Sequence, residues 1–187
     1  MDVSNGLISR GEVEFIEFPK EMGPDLRWVC DSQDLELLIR RWAIHRFQKR
    51  NLVFNFPREQ YAKLDRGETP EAINARWFTL SASAYSNPAT ETVSGESMRL
   101  ETTTLAVDPS NPKNSVIRFI LDAGQFVGSW STAILIGGAT ATSTPGTGKI
   151  VAAVNSVTDD LGNPLARTGS TIHLVNWKLK HLDSSEV

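Results

Sequence analysis

Residues Trp130 to Lys180 read WSTAILIGGATATSTPGTGKIVAAVNSVTDDLGNPLARTGSTIHLVNWKLK. Three runs in this stretch, around STAILIGG, KIVAAVN and TIHLVNWKLK, are rich in β-branched and small apolar residues, and Gly, Pro, Asn and Asp separate them. That composition describes strands joined by turns. Between Ile136 and Ile150 the only charge is Lys149, while Gly137, Gly138, Pro145, Gly146 and Gly148 oppose helix. The reading is a hairpin with a Gly-rich tip, followed by one further strand. Its tip, Gly137 to Gly148, is expected to project from the sheet and to become ordered only against a neighbour. A function built on such elements belongs to a surface, not to a cleft.

Upstream, Trp77 to Ala84 (WFTLSASA) alternates Phe78 and Leu80 against Trp77 and Thr79, the period of a half-buried strand. YSNPATETVSGES is a loop, Met98 to Val107 alternates again, and VIRFILDAG puts Ile117, Phe119 and Leu121 on one face. Gly124 and Gly128 predict a bend before the hairpin. Six or seven strands at this spacing predict a mainly β chain, an antiparallel β-sandwich over residues 77–187.

The order of these features resembles a module of tailed-bacteriophage virion proteins. The features are an apolar strand ending in Gly-Gly, a PGTG loop, an IVAAVN strand, a D/G/N turn and a closing T-x-x-L-x-x-W-x-L-like strand. The similarity spans Trp77 to His181 at most. What it implies is a non-enzymatic structural subunit of the tail, neck, baseplate or fibre base, made in the host cytoplasm and resident in the virion. Its partners would be other virion proteins. The alternative is a receptor- or glycan-binding module of a fibre.

Residues 1–76 have a different composition. They hold 12 Lys or Arg and 13 Asp or Glu, against 7 and 9 in the longer remainder. This predicts an α+β assembly arm with a boundary between Pro70 and Trp77. Val13 to Phe18 is a strand ended by Pro19, KEMGPDLRWVC is turn-like around Gly23-Pro24, and NLVFNF is a strand closed by Pro57. A short helix is expected near Arg58 to Leu64, and Pro70 to Asn74 permits another. The strongest helical pattern runs from about Asp34 to Arg50, with Leu35, Leu38, Ile39, Trp42 and Ala43 on one face. Acids open it and bases close it, as the macrodipole favours.

On that helix Arg40, Arg41, Arg46, Lys49 and Arg50 place five positive charges among eleven residues without an acid. Such a run is a solvated face, a contact for an acidic partner or, last, a contact for nucleic acid. Arg40, Arg41, Trp42 and Arg46 are therefore candidate partner-binding residues. Trp130 and Trp177 join them: Trp130, beside Gly128, as an exposed ring able to stack on sugar, and Trp177, with Val175 and Leu179 on its face, as a ring buried in the core or at a subunit interface. Apolar residues on both faces of the last strand, Ile172 and Leu174 against Val175, Trp177 and Leu179, argue for a homo-oligomer.

Other classes of function lack their residues. A net charge of -3 opposes a nucleic-acid binder. Cys30 is the sole cysteine, so no intrachain disulfide exists. The start, MDVSNGLISRGEVEF, carries no secretory pattern, and no run is apolar enough for a membrane span. TSTPGTGKI fails as a phosphate loop, because Ser143 and Ile150 stand where Gly and Ser/Thr are needed. His45, His173 and His181 have no zinc spacing, and Asp159 and Asp160 lack the distal Glu of a calcium loop. No G-x-S-x-G elbow occurs. Neither enzyme nor cofactor nor metal is expected.

Overall fold

The hairpin read from Trp130 onward forms the middle of a five-stranded sheet. It pairs β9 (Thr132–Gly137) with β10 (Lys149–Asn155), in antiparallel register with one irregularity between Ile150 and Ala152. In this computed structural model, residues 8–29, 32–96, 98–107, 114–158 and 161–182 are described. The strands before the hairpin are β1 (Ile8–Pro19), β2 (His45–Arg50), β3 (Leu52–Val53), β4 (Trp77–Ser81), β5 (Leu100–Glu101), β6 (Thr104–Val107), β7 (Asn114–Leu121) and β8 (Gly128–Trp130). After it come β11 (Leu165–Arg167) and β12 (Thr171–Leu182). The helices are α1 (Gly23–Val29), α2 (Leu35–Trp42) and α3 (Asn55–Asp65).

Sheet I runs β2-β1-β12-β7-β6 and sheet II runs β3-β10-β9-β4-β5, with β8 and β11 as a separate ribbon. Pairing within both sheets is antiparallel. Val13, Phe15, Phe47, Ile117, Phe119, Val175 and Trp177 from sheet I meet Phe78, Leu80, Ala133, Leu135 and Val154 from sheet II in one buried core. This is the packing of a sandwich, where inward residues of two sheets interlock about 10 Å apart. The mainly β expectation holds.

The arm does not. β1 pairs β12 along its whole length, from Ile8↔Leu182 to Pro19↔Thr171, and β2 extends the same sheet. β3 pairs β10 in the other sheet. The first 76 residues thus supply three strands of the sandwich, and no boundary near Pro70 divides the core. Charge density misled the sequence reading, because Glu14 and Arg46 lie on the outer face of a strand pair whose inner face is Val13, Phe15 and Phe47.

Outer faces are covered as well. α1 and α2 lay Leu26, Leu35 and Ile39 on Ile16, Phe18, Ile120, Ile172 and Leu174 of sheet I. Arg27 of α1 is ion-paired with Asp122. On sheet II, Tyr85 and Val93 from the long loop after β4 pack with Phe54, Ile134, Ile136, Ile150 and Ala153. Asn155 pins that loop by accepting from the Tyr85 amide at 2.8 Å and donating to its carbonyl at 2.9 Å.

Several local expectations need correction. The segment around Gly23-Pro24 is helical; Pro24 occupies the first turn of α1, where its missing N–H costs nothing. NLVFNF gives only a two-residue strand, and Pro57 lies in the first turn of α3 instead of ending a strand. Residues 70–76 form no helix. Met98 to Val107 splits into β5 and β6, which belong to different sheets. Asp159, Asp160 and Cys30 lie outside the described residues, as does the side chain of His181.

Candidate functional site

The expected helix from Asp34 to Arg50 stops at Trp42. Ala43 is extended (φ -64, ψ 126), and residues 45–50 are strand β2. Tertiary pairing overrides the helical pattern here. Phe47 gains a parallel stack on Phe15 at 5.1 Å and a buried place in the core, which helix would deny it.

This break separates the basic residues. Arg40 and Arg41 remain exposed on α2. Arg46 moves to the outer face of β2, where its Nε donates to Glu14 at 2.5 Å and an Nη to Glu36 at 3.4 Å. Glu14 is only 2 % exposed and also accepts from Asn176 at 3.1 Å and Gln48 at 3.4 Å. Burial by itself raises the Glu14 pKa. The hydrogen bonds from Asn176 and Arg46, with the charges of Arg46 and Lys178, outweigh it and hold the carboxyl below its usual value. Arg46 is therefore a structural ion-pair partner rather than a free contact residue. Glu14 was legible only as an acid sharing a strand face with Ile16 and Phe18.

Among the described residues Arg40, Arg41, Lys49 and Arg50 form no ion pair. Arg40 and Arg41 adjoin exposed apolar side chains, Trp42 at 51 %, Leu37 at 53 % and Ile44 at 58 %, with Trp28 of α1 at 89 %, whereas Lys49 and Arg50 lie at the far end of β2, opposite Val13 and Glu12. Trp28, in the segment read as turn-like, and Leu37 and Ile44, off the apolar face of the expected helix, were not singled out from sequence. This flank, from α1 through α2 to β2, joins unpaired cations to solvent-facing aromatics.

Of the two tryptophans named as partner-binding residues, Trp177 lies in the core, one of the two places its apolar strand implied, and Trp130 is half-buried. Trp177 is fully buried and meets Phe78 edge-on, and its Nε1 has no hydrogen-bond partner. Trp130 packs edge-on to Phe126 and donates from Nε1 to the Phe126 carbonyl at 2.6 Å. Trp177 is thereby removed as a stacking platform, whereas Trp130 stays half-buried.

The hairpin tip, exposed over residues 142–146, is tied to its own chain. The Glu96–Arg99 pair, both side chains 1 % exposed, reaches into it. Arg99 donates to the carbonyls of Thr142 at 3.1 Å and Thr147 at 2.7 Å, and Glu96 accepts from the Gly146 amide at 2.7 Å. The E-x-x-R spacing was the available sequence signal. The tip is ordered against its own chain.

Two clefts open at the sandwich ends. One of about 200 Å³ is lined by Val53, Pro57, Tyr61, Ile73 and Leu179 among others. The other, about 190 Å³, is lined by Glu17, His45, Phe47, Leu165 and His173. Behind it Arg167 is buried, donating to the carbonyls of Leu121, Asp122 and Gln125 and bonded to Nδ1 of His173. Burial, then the charges of Arg167 and His45, push the His173 pKa down to about 3. With Arg167 donating to Nδ1, the neutral ring carries its proton on Nε2. Among the described residues no group of His, Cys, Asp or Glu is arranged to hold a metal, and no helix is long and apolar enough to cross a membrane. Compared with known proteins, the chain matches no family model, no curated protein and no solved structure.

Proposed function

We propose that the protein is a non-enzymatic structural subunit that docks its α2–β2 flank on an acidic surface of another protein. Tailed-phage particles are the proposed setting, at the tail, neck, baseplate or fibre base; that part rests on the resemblance of residues 77–181 alone. The observation that carries the docking is the pair of exposed cations Arg40 and Arg41, without ion pairs among the described residues, adjoining exposed Trp42 and Ile44, with Arg50 farther along β2. Tryptophan and arginine dominate the binding energy of protein interfaces, and complementary charge sets orientation and speed of encounter.

The test is the double reversal Arg40→Glu with Arg41→Glu. Both side chains are exposed, so the fold should be retained within about 0.5 kcal/mol. Incorporation into purified particles should fall, and wild-type incorporation should weaken as salt rises. Unchanged incorporation of the reversed protein at every salt concentration refutes the reading.

A further inference from the structure

We infer that β2 is an addition site: an acidic extended segment of another protein pairs with its open edge and adds a sixth strand to sheet I. This deepens the docking proposed above and rests on it for the sign of the partner's charge.

β2 is the outermost strand of its sheet. The Asn51 amide donates to the Gly11 carbonyl at 3.0 Å, and the register pairs Val13 with Lys49 and Phe15 with Phe47. In an antiparallel pair the bonded residues alternate. His45, Phe47 and Lys49 therefore spend their backbone groups on β1, and Arg46, Gln48 and Arg50 turn theirs outward. Three N–H and three C=O groups line this edge. The other described edges are shorter: β3 and β5 have two residues each and β6 has four.

Natural edges are blunted by shortness, proline, bulges or charge. β2, with sequence HRFQKR, has neither proline nor glycine, and its six pairs with β1 run without a register shift. Charge alone protects it, and all of that charge is positive. Such an edge rejects its own kind. A second copy pairing antiparallel about Gln48 would set Arg46 opposite Arg50 twice, and like charges directly opposite destabilise a strand pair. An acidic strand meets no such penalty; it finds Arg50 and Lys49 without ion pairs, Arg40 and Arg41 on the neighbouring helix, and exposed Ile44 at the strand's start as an apolar anchor. Main-chain bonds would supply affinity and alternate side chains specificity, as in known strand addition.

The experiment uses the full chain, isotopically labelled, with two synthetic seven-residue peptides: Thr-Glu-Val-Glu-Val-Glu-Thr and its counterpart with Lys for Glu. With the acidic peptide at about ten times its Kd, exchange of the Arg46, Gln48 and Arg50 amides should slow about tenfold. Raising salt should reverse this, and the lysine peptide should produce none of it. Gln48→Pro removes an outward N–H that β1 does not use and should abolish the protection, whereas Gln48→Ala should keep it. Should the proline variant not fold, Arg50→Glu supplies the same decision by weakening the acidic peptide and admitting the lysine one. No protection, equal protection by both peptides, or protection unaffected by Gln48→Pro and Arg50→Glu overturns the inference. If the Arg40/Arg41 reversal lowers incorporation while the acidic peptide gives no protection, flank docking stands and strand addition falls. Protection of the β2 amides without loss of incorporation upholds strand addition and removes the docking role of Arg40 and Arg41.

Discussion

Replacing Arg46 by Met should destabilise the protein far more than its surface position implies. Its side chain is 41 % exposed, whereas the Glu14 carboxylate it serves is 2 % exposed. Loss of Arg46 leaves Glu14 with only the neutral donors Asn176 and Gln48, at 3.1 and 3.4 Å. Breaking a buried pair from the partner's side costs about 3–5 kcal/mol, but water can reach the vacated Arg46 position, so the expected cost is about 2–3 kcal/mol. Glu14→Gln should be milder, about 1 kcal/mol, because Arg46 returns to solvent and the new amide can donate to the Asn176 Oδ1, which is buried without a partner. The double variant should recover about 1–2 kcal/mol relative to the sum of the single changes. Urea unfolding of the four proteins at neutral pH gives the cycle. Because the Glu14 pKa is depressed in the folded state, its contribution is present above the unfolded carboxyl value and is lost as pH falls through the folded one. The Arg46→Met deficit should shrink over that acid range. An Arg46→Met protein within about 0.5 kcal/mol of wild type at neutral pH would show that water serves Glu14 as well as arginine does, and would refute the account.

Arg99→Ala should release the hairpin tip, so that the Thr142 and Gly146 amides, bonded to Thr147 Oγ1 and the Glu96 carboxylate, exchange faster than in the wild-type protein without loss of the sandwich. Trp177→Ala should cost about 3–5 kcal/mol by cavity formation. Trp177→Phe should cost much less, since it also removes a buried N–H that has no acceptor; thermal unfolding separates the two. His173 is neutral in the folded state down to about pH 3 yet protonates near 6.5 when unfolded, so the unfolded chain binds more protons between these values. Stability should therefore fall on acidification by about 1.4 kcal/mol per pH unit below 6 relative to His173→Gln, and parallel curves for the two proteins would contradict the burial of this ring.

Period-two alternation carried most of the fold. Phe78 and Leu80, Ile117, Phe119 and Leu121, and Val175, Trp177 and Leu179 all face the core as their spacing requires. What sequence could not carry was long-range pairing. Nothing local announces that Val13 will sit opposite Trp177, so β1 and β2 read as parts of a separate arm. Leu35, Ile39 and a row of arginines read as one helix because helical periodicity is indifferent to where the core lies; the stack of Phe47 on Phe15 decided otherwise. Of the candidate residues, Arg40 and Arg41 are exposed, Trp42 is 51 % exposed although read on the apolar face of its helix, Arg46 is held by Glu14, Trp177 is buried, and Trp130 is half-buried with its Nε1 bonded to the Phe126 carbonyl. Ring type alone distinguishes a buried tryptophan from an exposed one poorly, since both supply large apolar area.

The apolar residues on both faces of β12 pointed toward a second copy. In the fold each face has its own cover: Ile172 and Leu174 lie under α1 and α2, and Val175, Trp177 and Leu179 face sheet II. The argument for a homo-oligomer from those residues therefore disappears. What remains for association is the flank, where exposed apolar side chains are interspersed with unpaired cations. Interfaces of this mixed kind resemble docking between separately folded partners more than the fused cores of obligate dimers. Their charges act over about a Debye length, roughly 8 Å at physiological salt, so they favour rapid, oriented capture of an oppositely charged partner. The same positive charge that keeps the β2 edge from joining its own kind thus sets which strand can join it, and a single surface carries both the exclusion and the recognition.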